Sequence, residues 1–453
     1  MKYPLGIQSF ENIRSGGYLY IDKTALVHQM VTGGTYYFLS RPRRFGKSLL
    51  VSTLEAYFKG RKELFEWLAI EGLEQEWKQY SVLKLSMNVE NYNSVKRLTD
   101  VLDDAVNTWC RQYGMTVNGD SPSVRFKNMI IALKEKTGSK VVILVDEYDK
   151  PMLQNLENDG LLNQMRDELK AFYGVLKPMD EYIRFAFFTG VTKFSKVSVF
   201  SDLNNLTDIS MDKRYVEICG ITEKEIRNNL DDEVGELAKE TSISKATCYD
   251  RLRDYYDGYH FRESCTGLYN PYSLLSALAQ REFRDYWFET GTPSYLADTL
   301  KQTDYPLDRL TKEEATSQLL ASLDSLKQTP IPLIYQSGYL TIKNYDPDFR
   351  TYKLGFPNKE VEHGFVEFLA KYYVPQAKGY NSAFIADFVR DVRGGKAEQF
   401  MRRLDALFAG GDYQITGDAE LYFQNAVWII FKMMGFYTEV ERHTTDGRMD
   451  MVI

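Results

Sequence analysis

The stretch Tyr36–Leu50, YYFLSRPRRFGKSLL, restricts the fold of this chain more than any other. It runs from an apolar strand pattern through a short loop to Gly46-Lys47-Ser48 and then an apolar helical pattern. A phosphate-binding loop needs that order. The loop wraps a triphosphate with backbone N–H groups, and the helix N-terminus adds partial positive charge. Lys47 then reaches the β- and γ-phosphates and Ser48 ligates Mg²⁺. Candidate contacts to the nucleotide are Arg43, Arg44, Phe45, Gly46, Lys47, Ser48 and Leu49. The frame Arg41–Ser48 departs from the usual pattern at its head, where Arg41 replaces a glycine that normally permits positive φ. The loop must therefore open differently, with Pro42 fixing the bend.

A second motif, Val141–Lys150 (VVILVDEYDK), reads as a strand buried on both faces that ends in Asp146-Glu147. Open α/β sheets place ligands at that edge. Beside Lys47, Asp146 can hold Mg²⁺ through water, and Glu147 can orient and deprotonate the water that attacks the γ-phosphate.

The wording IDKT (Ile21–Thr24), SRPRRFGKSLL (Ser40–Leu50), LVDEYDKP (Leu144–Pro151) and FTGVTKFS (Phe188–Ser195) resembles the AAA-ATPase-like family of bacterial proteins. These usually carry a PD-(D/E)XK nuclease-like domain at the C-terminus. The likeness covers most of the chain and includes the arginine at position 41. It implies a P-loop ATPase, with ATP and Mg²⁺ as ligands, fused to a restriction-type nuclease module.

At 453 residues the chain has room for two or three domains, and 44% apolar with 26% charged residues is ordinary for a soluble protein. A net charge of −7 argues against a general polyanion-binding surface. The four cysteines show no CxxC pair, which points to free thiols in a reduced compartment. No apolar signal core or membrane-length run is present, so a cytoplasmic location without membrane contact is expected.

In chain order, Asp22 is placed to cap a helix Lys23–Met30, and Ile7 and Phe10 are candidates to line the base, with core packing the blander alternative for Phe10. Strands are expected at Tyr36–Ser40, Ser81–Met87, from Val141, at Ile183–Thr189 and at Tyr215–Gly220. Helices are expected at Lys47–Phe58, Val95–Tyr113, to about Lys136, and at Asn163–Lys177. Helices between strands make a parallel sheet natural, and the extra strand before the acidic one suggests the order 5-1-4-3-2. Thr189 or Thr192 then lies between the motif strands, placed to sense the γ-phosphate or hold the lytic water. Arg184, Arg214, Lys193 and Lys196 are unranked as candidates for a finger residue.

The domains expected are residues 1–221 (P-loop domain), 222–357 (helical lid and winged-helix-like region) and 358–453 (helical linker and partial nuclease-like module). Thr222–Glu225 reads as a capped helix start, and His260 has no ligand partner at useful spacing. Leu333–Ser337, Tyr339–Lys343 and Thr351–Leu354 suggest a winged helix, which can bind DNA or brace a domain. Pro357–Val374 and Ser382–Phe408 read as helices, Gly410-Gly411 as a boundary, then helix Asp418–Met434 and two strands from Tyr437. By the resemblance, Glu420 and Asp450 match two metal-binding carboxylates of the nuclease. The (D/E)-X-K element should follow on the next strand, but the chain stops at Ile453, so this module is read as incomplete and not expected to cut DNA.

Two functions from different classes follow. One is a Mg²⁺-dependent ATP hydrolase whose nucleotide state repositions its other parts, with DNA as a partner of a longer form and a homo-oligomer as a possible assembly. The other is a nucleotide-binding switch or scaffold with little turnover.

Overall fold

A computed structural model describes residues 1–193, 199–200, 203, 205–289, 295–321, 323, 328–374, 383–409, 419–435, 439–444 and 447–452. Strands β1 (Tyr36–Ser40), β2 (Ser81–Ser86), β3 (Val141–Asp146), β4 (Ile183–Gly190) and β5 (Thr207–Asp208) form a parallel sheet in the order β2-β3-β4-β1-β5. Taken from its other edge this is the expected 5-1-4-3-2. Every residue of β3 is buried, as its unbroken apolar run requires.

The fifth strand is a correction. Tyr215–Gly220 makes turns, with Tyr215 N–H on the Asp212 carbonyl and Ile218 N–H on that of Tyr215. Its apolar residues pack without pairing: Tyr215 meets the Tyr37 ring edge-on and Ile218 and Cys219 are buried. The short β5 takes the place beside β1.

Around the sheet lie α1 (Phe10–Ser15), α2 (Thr24–Gly33), α3 (Lys47–Phe58), α4 (Val95–Tyr113), α5 (Pro122–Thr137), α6 (Lys150–Leu153) and α7 (Asp159–Gly174). Asp22 accepts from the Thr24 N–H and hydroxyl at 2.8 and 2.7 Å, which starts α2. The helix α7 begins earlier than its apolar spacing suggests because Asn158 caps it through the Leu161 N–H. On α4, Leu98, Leu102, Val106 and Trp109 form one buried face. That helix also closes the sheet edge: Tyr113 Oη accepts from Val82 N–H and donates to Val82 O, and Trp109 Nε1 donates to Lys84 O.

Helices α8 (Glu223–Asn229), α9 (Asp231–Glu240), α10 (Lys245–Tyr256) and α11 (Pro271–Gln280) surround a core of their own, from Ile221 to Tyr286. The expected capping box opens α8: Thr222 Oγ1 accepts from Glu225 N–H while the Glu225 carboxylate accepts from Thr222 N–H. After α12 (Tyr286–Glu289), the chain order is α13 (Tyr295–Gln302), β6 (Glu314–Thr316), α14 (Ser317–Leu320), α15 (Ile331–Gln336), β7 (Thr341–Asp346) and β8 (Thr351–Gly355). Helix, strand, two helices and a hairpin, with the sheet order β6-β8-β7, is the winged-helix arrangement. Its α15, where a groove-reading helix would lie, has Ile331, Pro332, Leu333, Ile334 and Gln336 buried. Gln336 of α15 accepts from the Lys193 N–H at 2.7 Å, which joins this unit to the segment after β4. His260 ties it in by packing and backbone bonds, since its N–H donates to Thr341 Oγ1 and Thr341 Oγ1 donates to its carbonyl.

The C-terminal helices are α16 (Lys359–Tyr373), α17 (Ala383–Arg393), α18 (Ala397–Ala409) and α19 (Ala419–Met433). The single helix expected over 382–408 is broken after Arg393, where Gly395 turns at φ 67°. The helices α16 and α19 pack together, joined by Lys432–Glu362 at 2.9 Å. Beyond them β9 (Glu439–Thr444) and β10 (Gly447–Val452) pair antiparallel. The expected boundary at Gly410-Gly411 and the helix start at Asp418 lie outside the described residues.

Candidate functional site

Because β1, β3 and β4 run parallel, the loop after β1, the acidic end of β3 and Thr189-Gly190 at the end of β4 share one edge. The loop meets α3 at Gly46, whose φ of 90° supplies a left-handed turn next to a second one at Arg44 (φ 67°). These two residues, and not a bend fixed by Pro42 alone, turn the loop without its usual leading glycine. Lys47 folds back under the loop and donates from Nζ to the carbonyls of Arg41 and Pro42 at 2.9 and 3.0 Å. An ammonium has three donors. Two brace the loop and the third is available to a ligand. Burial pushes the Lys47 pKa down, while Asp146, Glu147 and Asp149 pull it up, so all three carboxyls lie within its field.

Arg41 is a structural residue. It is 1% exposed, donates to the carbonyls of Ser40, Ser210 and Val216 at 2.9, 2.8 and 3.3 Å, and stacks 3.9 Å from the Phe261 ring centre. The guanidinium thereby ties β1 to the segment after β5 and to the helical region. The neighbouring Arg43 and Arg44 lie over the rings of Trp287 and Tyr272, at 4.6 and 5.0 Å. Trp287 Nε1 donates back to the Arg43 carbonyl at 3.2 Å. Both arginines, expected as nucleotide contacts, lie against the region that follows the sheet domain, where aromatic faces attract a cation.

At the acidic edge Asp146 is 6% exposed, and its Oδ1 is buried without a hydrogen-bond partner among the described residues. Ser48 and Asp146 line one polar cleft of about 400 Å³, together with Ser52, Glu55, Lys84 and Ser86. Glu147 follows at φ 53°, and burial pushes its carboxyl pKa up, opposed by Lys47. Asp149 is buried and accepts from both the N–H and the hydroxyl of Thr192 at 2.6 Å.

On the other side of the loop an apolar pocket of about 100 Å³ is lined by Tyr20, Gly46, Leu49, Cys219, Ile221 and Leu275, among others. It lies between the N-terminal segment, α3 and α11. Lys23 of its wall pairs with Glu225 of α8 at 2.5 Å.

A family model described as a predicted AAA-ATPase matches residues 4–200. A protein of Azotobacter chroococcum mcd 1, described as an uncharacterized protein in the vnfD 5' region, is 34% identical over 468 residues, covering all of this chain and 87% of that protein. The chain belongs to the AAA-ATPase-like family. Membership carries an expectation of nucleotide binding, and the sheet order is compatible with a P-loop fold.

Within this AAA-ATPase-like chain, Lys47, Ser48, Asp146 and Glu147 all lie at this edge of the sheet. Thr189 and Thr192 are at that edge, but their hydroxyls are engaged with the protein, Thr189 on the Leu39 carbonyl at 2.8 Å and Thr192 on Asp149. Each hydroxyl spends its proton on the protein and keeps only acceptor capacity toward a ligand. Phe10 packs on Tyr20 and Phe65 and Ile7 stands outside the apolar pocket, so neither lines it. Leu49, already a candidate contact, does line it, whereas Ile221 and Leu275 come from distant stretches for which sequence spacing carries no signal. Arg184 donates to the Val31 carbonyl, Arg214 pairs with Asp212 and Lys193 with Asp208, while Lys196 lies outside the described residues. Glu420 is exposed in the first turn of α19, and Asp450 falls in β10, where side chains lie outside the described residues.

Proposed function

We propose that this protein is a Mg²⁺-dependent ATP hydrolase of the cytoplasm, with its helical and C-terminal parts responding to the nucleotide. One observation carries the reading. The Lys47 ammonium is buried under its loop with a donor to spare, in the field of three carboxyls, and the unpartnered Asp146 Oδ1 shares a cleft with Ser48. A buried carboxylate oxygen without a donor is costly unless a ligand completes it, and hard oxygen donors suit Mg²⁺. Ser48 and Asp146 would hold that ion, which when bound neutralises charge on the β- and γ-oxygens.

In this reading the base occupies the apolar pocket beside Leu49 and Ile221, and the loop amides and Lys47 bind the phosphates. Glu147 takes the proton of the attacking water. Burial raises its pKa, which makes it a stronger base than an exposed carboxylate. The helix-hairpin order of α19, β9 and β10 supports the further proposal of a nuclease-like module, with Glu420 and Asp450 as its candidate carboxylates.

Phosphate release at saturating Mg²⁺ and ATP tests the main claim. Lys47→Ala should abolish both binding and turnover. Glu147→Gln should keep binding and lose turnover by about 10²–10⁴-fold, the usual worth of a general base. Unchanged turnover in both variants would refute it, and tight ATP uptake without phosphate release would leave a nucleotide switch.

A further inference from the structure

We propose that Asp149 is a positioning residue: through Thr192 it fixes the corner after β3 and so aims the Glu147 carboxylate at the reacting phosphate. The role rests on the ATPase reading above. Glu147 stands at φ 53°, a left-handed conformation that a residue with a side chain holds only when its surroundings impose it. What imposes it here is bonding from β4, the next strand in sequence, and from Thr192 just beyond its end. Tyr148 N–H donates to the Thr189 carbonyl at 3.1 Å, carrying the sheet pairing past the end of β3. Tyr148 Oη donates to the Thr192 carbonyl at 3.2 Å. The Asp149 Oδ2 then accepts both the N–H and the hydroxyl of Thr192 at 2.6 Å. Thr192 is thus bonded at its N–H, its hydroxyl and its carbonyl by the two residues that follow Glu147.

Gly190 is part of the same device. A Cβ there would stand 2.4 Å from Asp149 Oδ1 and 2.8 Å from Tyr148 Cδ1, so only glycine lets the corner close on β4. Asp149 is 1% exposed and Thr192 fully buried, so no solvent replaces a lost bond. The Asp149 carboxylate bonds to Thr192, and its charge also reaches Lys47. The bond to Thr192 carries its effect on the geometry of Glu147, and Asp149→Asn keeps that bond while removing the charge.

The test uses the full chain and three readouts: steady-state phosphate release, affinity for a fluorescent ATP analogue, and hydrogen exchange of the Thr192 amide. Asp149→Ala should lower kcat by about 100-fold, the scale of a misplacement near 1 Å, with affinity within about threefold and faster exchange at Thr192. Asp149→Asn, whose amide oxygen still accepts, should recover most of that loss. Thr192→Ser should turn over like the parent, and Thr192→Val, which keeps the N–H but not the hydroxyl, should fall between. Asp149→Ala with kcat within twofold of the parent overturns the inference while leaving the ATPase reading intact. So does a loss of kcat and affinity in equal measure in both Asp149→Ala and Thr192→Val, which marks a merely structural bond. A parent chain that releases no phosphate sinks the ATPase reading and this inference with it.

Discussion

Replacing Arg41 by glycine would install the residue usual at the head of a phosphate-binding loop, and the structure predicts that it damages this protein. The side chain donates to three carbonyls and stacks on Phe261. Hydrogen bonds from a charged donor contribute about 1.5–3 kcal/mol each and the ring contact about 0.5–2, a gross of about 5–11 kcal/mol. Against this stands the hydration that a buried guanidinium gives up, several kcal/mol, which also pushes its pKa down. The difference is about 3–5 kcal/mol, the scale of breaking a buried charged network. At roughly 3 °C per kcal/mol for a domain of this size, the sheet domain should melt about 10 °C lower. Arg41→Lys should fall short of the parent as well, since one ammonium cannot span the carbonyls of Ser40, Ser210 and Val216 as the planar fork does. Thermal unfolding followed by circular dichroism reads the effect. A glycine variant that melts within about 2 °C of the parent would show that the guanidinium is a passenger.

Three further outcomes follow from other parts of the molecule. Tyr113→Phe removes the hydroxyl that serves both Val82 N–H and Val82 O at the sheet edge; about 1–3 kcal/mol of stability should go, with more aggregation on heating by light scattering, whereas an unchanged profile would mean the edge is guarded otherwise. The Asp257 carboxyl is pushed up to about 6 by burial, and its Oδ1 has no hydrogen-bond partner among the described residues. A folded-state pKa above the unfolded one gives stability that is full below pH 4 and lost as pH rises through 6, roughly 2 kcal/mol after allowing for partial exposure; Asp257→Asn should flatten that slope in denaturant melts, and an identical slope in both proteins would contradict the assignment. Leu275→Trp should fill the apolar pocket beside the loop and raise the KM for ATP about tenfold or more with kcat held, and an unchanged KM would move the base elsewhere.

What could be read from the sequence was governed by local pattern. Tyr36–Ser40, Lys47–Phe58 and Val95–Tyr113 have the bounds their periodicity suggests, because apolar spacing and flanking glycines act within a few residues. The sheet order was legible too, since the crossover lengths leave few parallel arrangements. Tertiary contacts hid the rest. YVEICG has the composition of a strand, but its apolar residues are spent on Tyr37 and the loop pocket, so composition alone misassigned it. Arg41 looked like a missing glycine, and its role is visible only with Ser210, Val216 and Phe261 beside it, all more than 160 residues away. Thr189 and Thr192 were well placed by topology, yet which acceptor a hydroxyl finds depends on Leu39 and Asp149 across the sheet. The strand β6, three residues long, is too short to leave a periodic trace.

Calorimetric titration of ATP into the purified chain, with and without Mg²⁺, probes the shared site most directly, run beside Asp146→Ala. One saturable event, tightened by Mg²⁺ in the parent and insensitive to it in Asp146→Ala, is the expected result. No heat of ATP uptake by the parent, or an affinity that ignores Mg²⁺ there, would contradict the convergence of Lys47, Ser48 and Asp146 on one magnesium nucleotide.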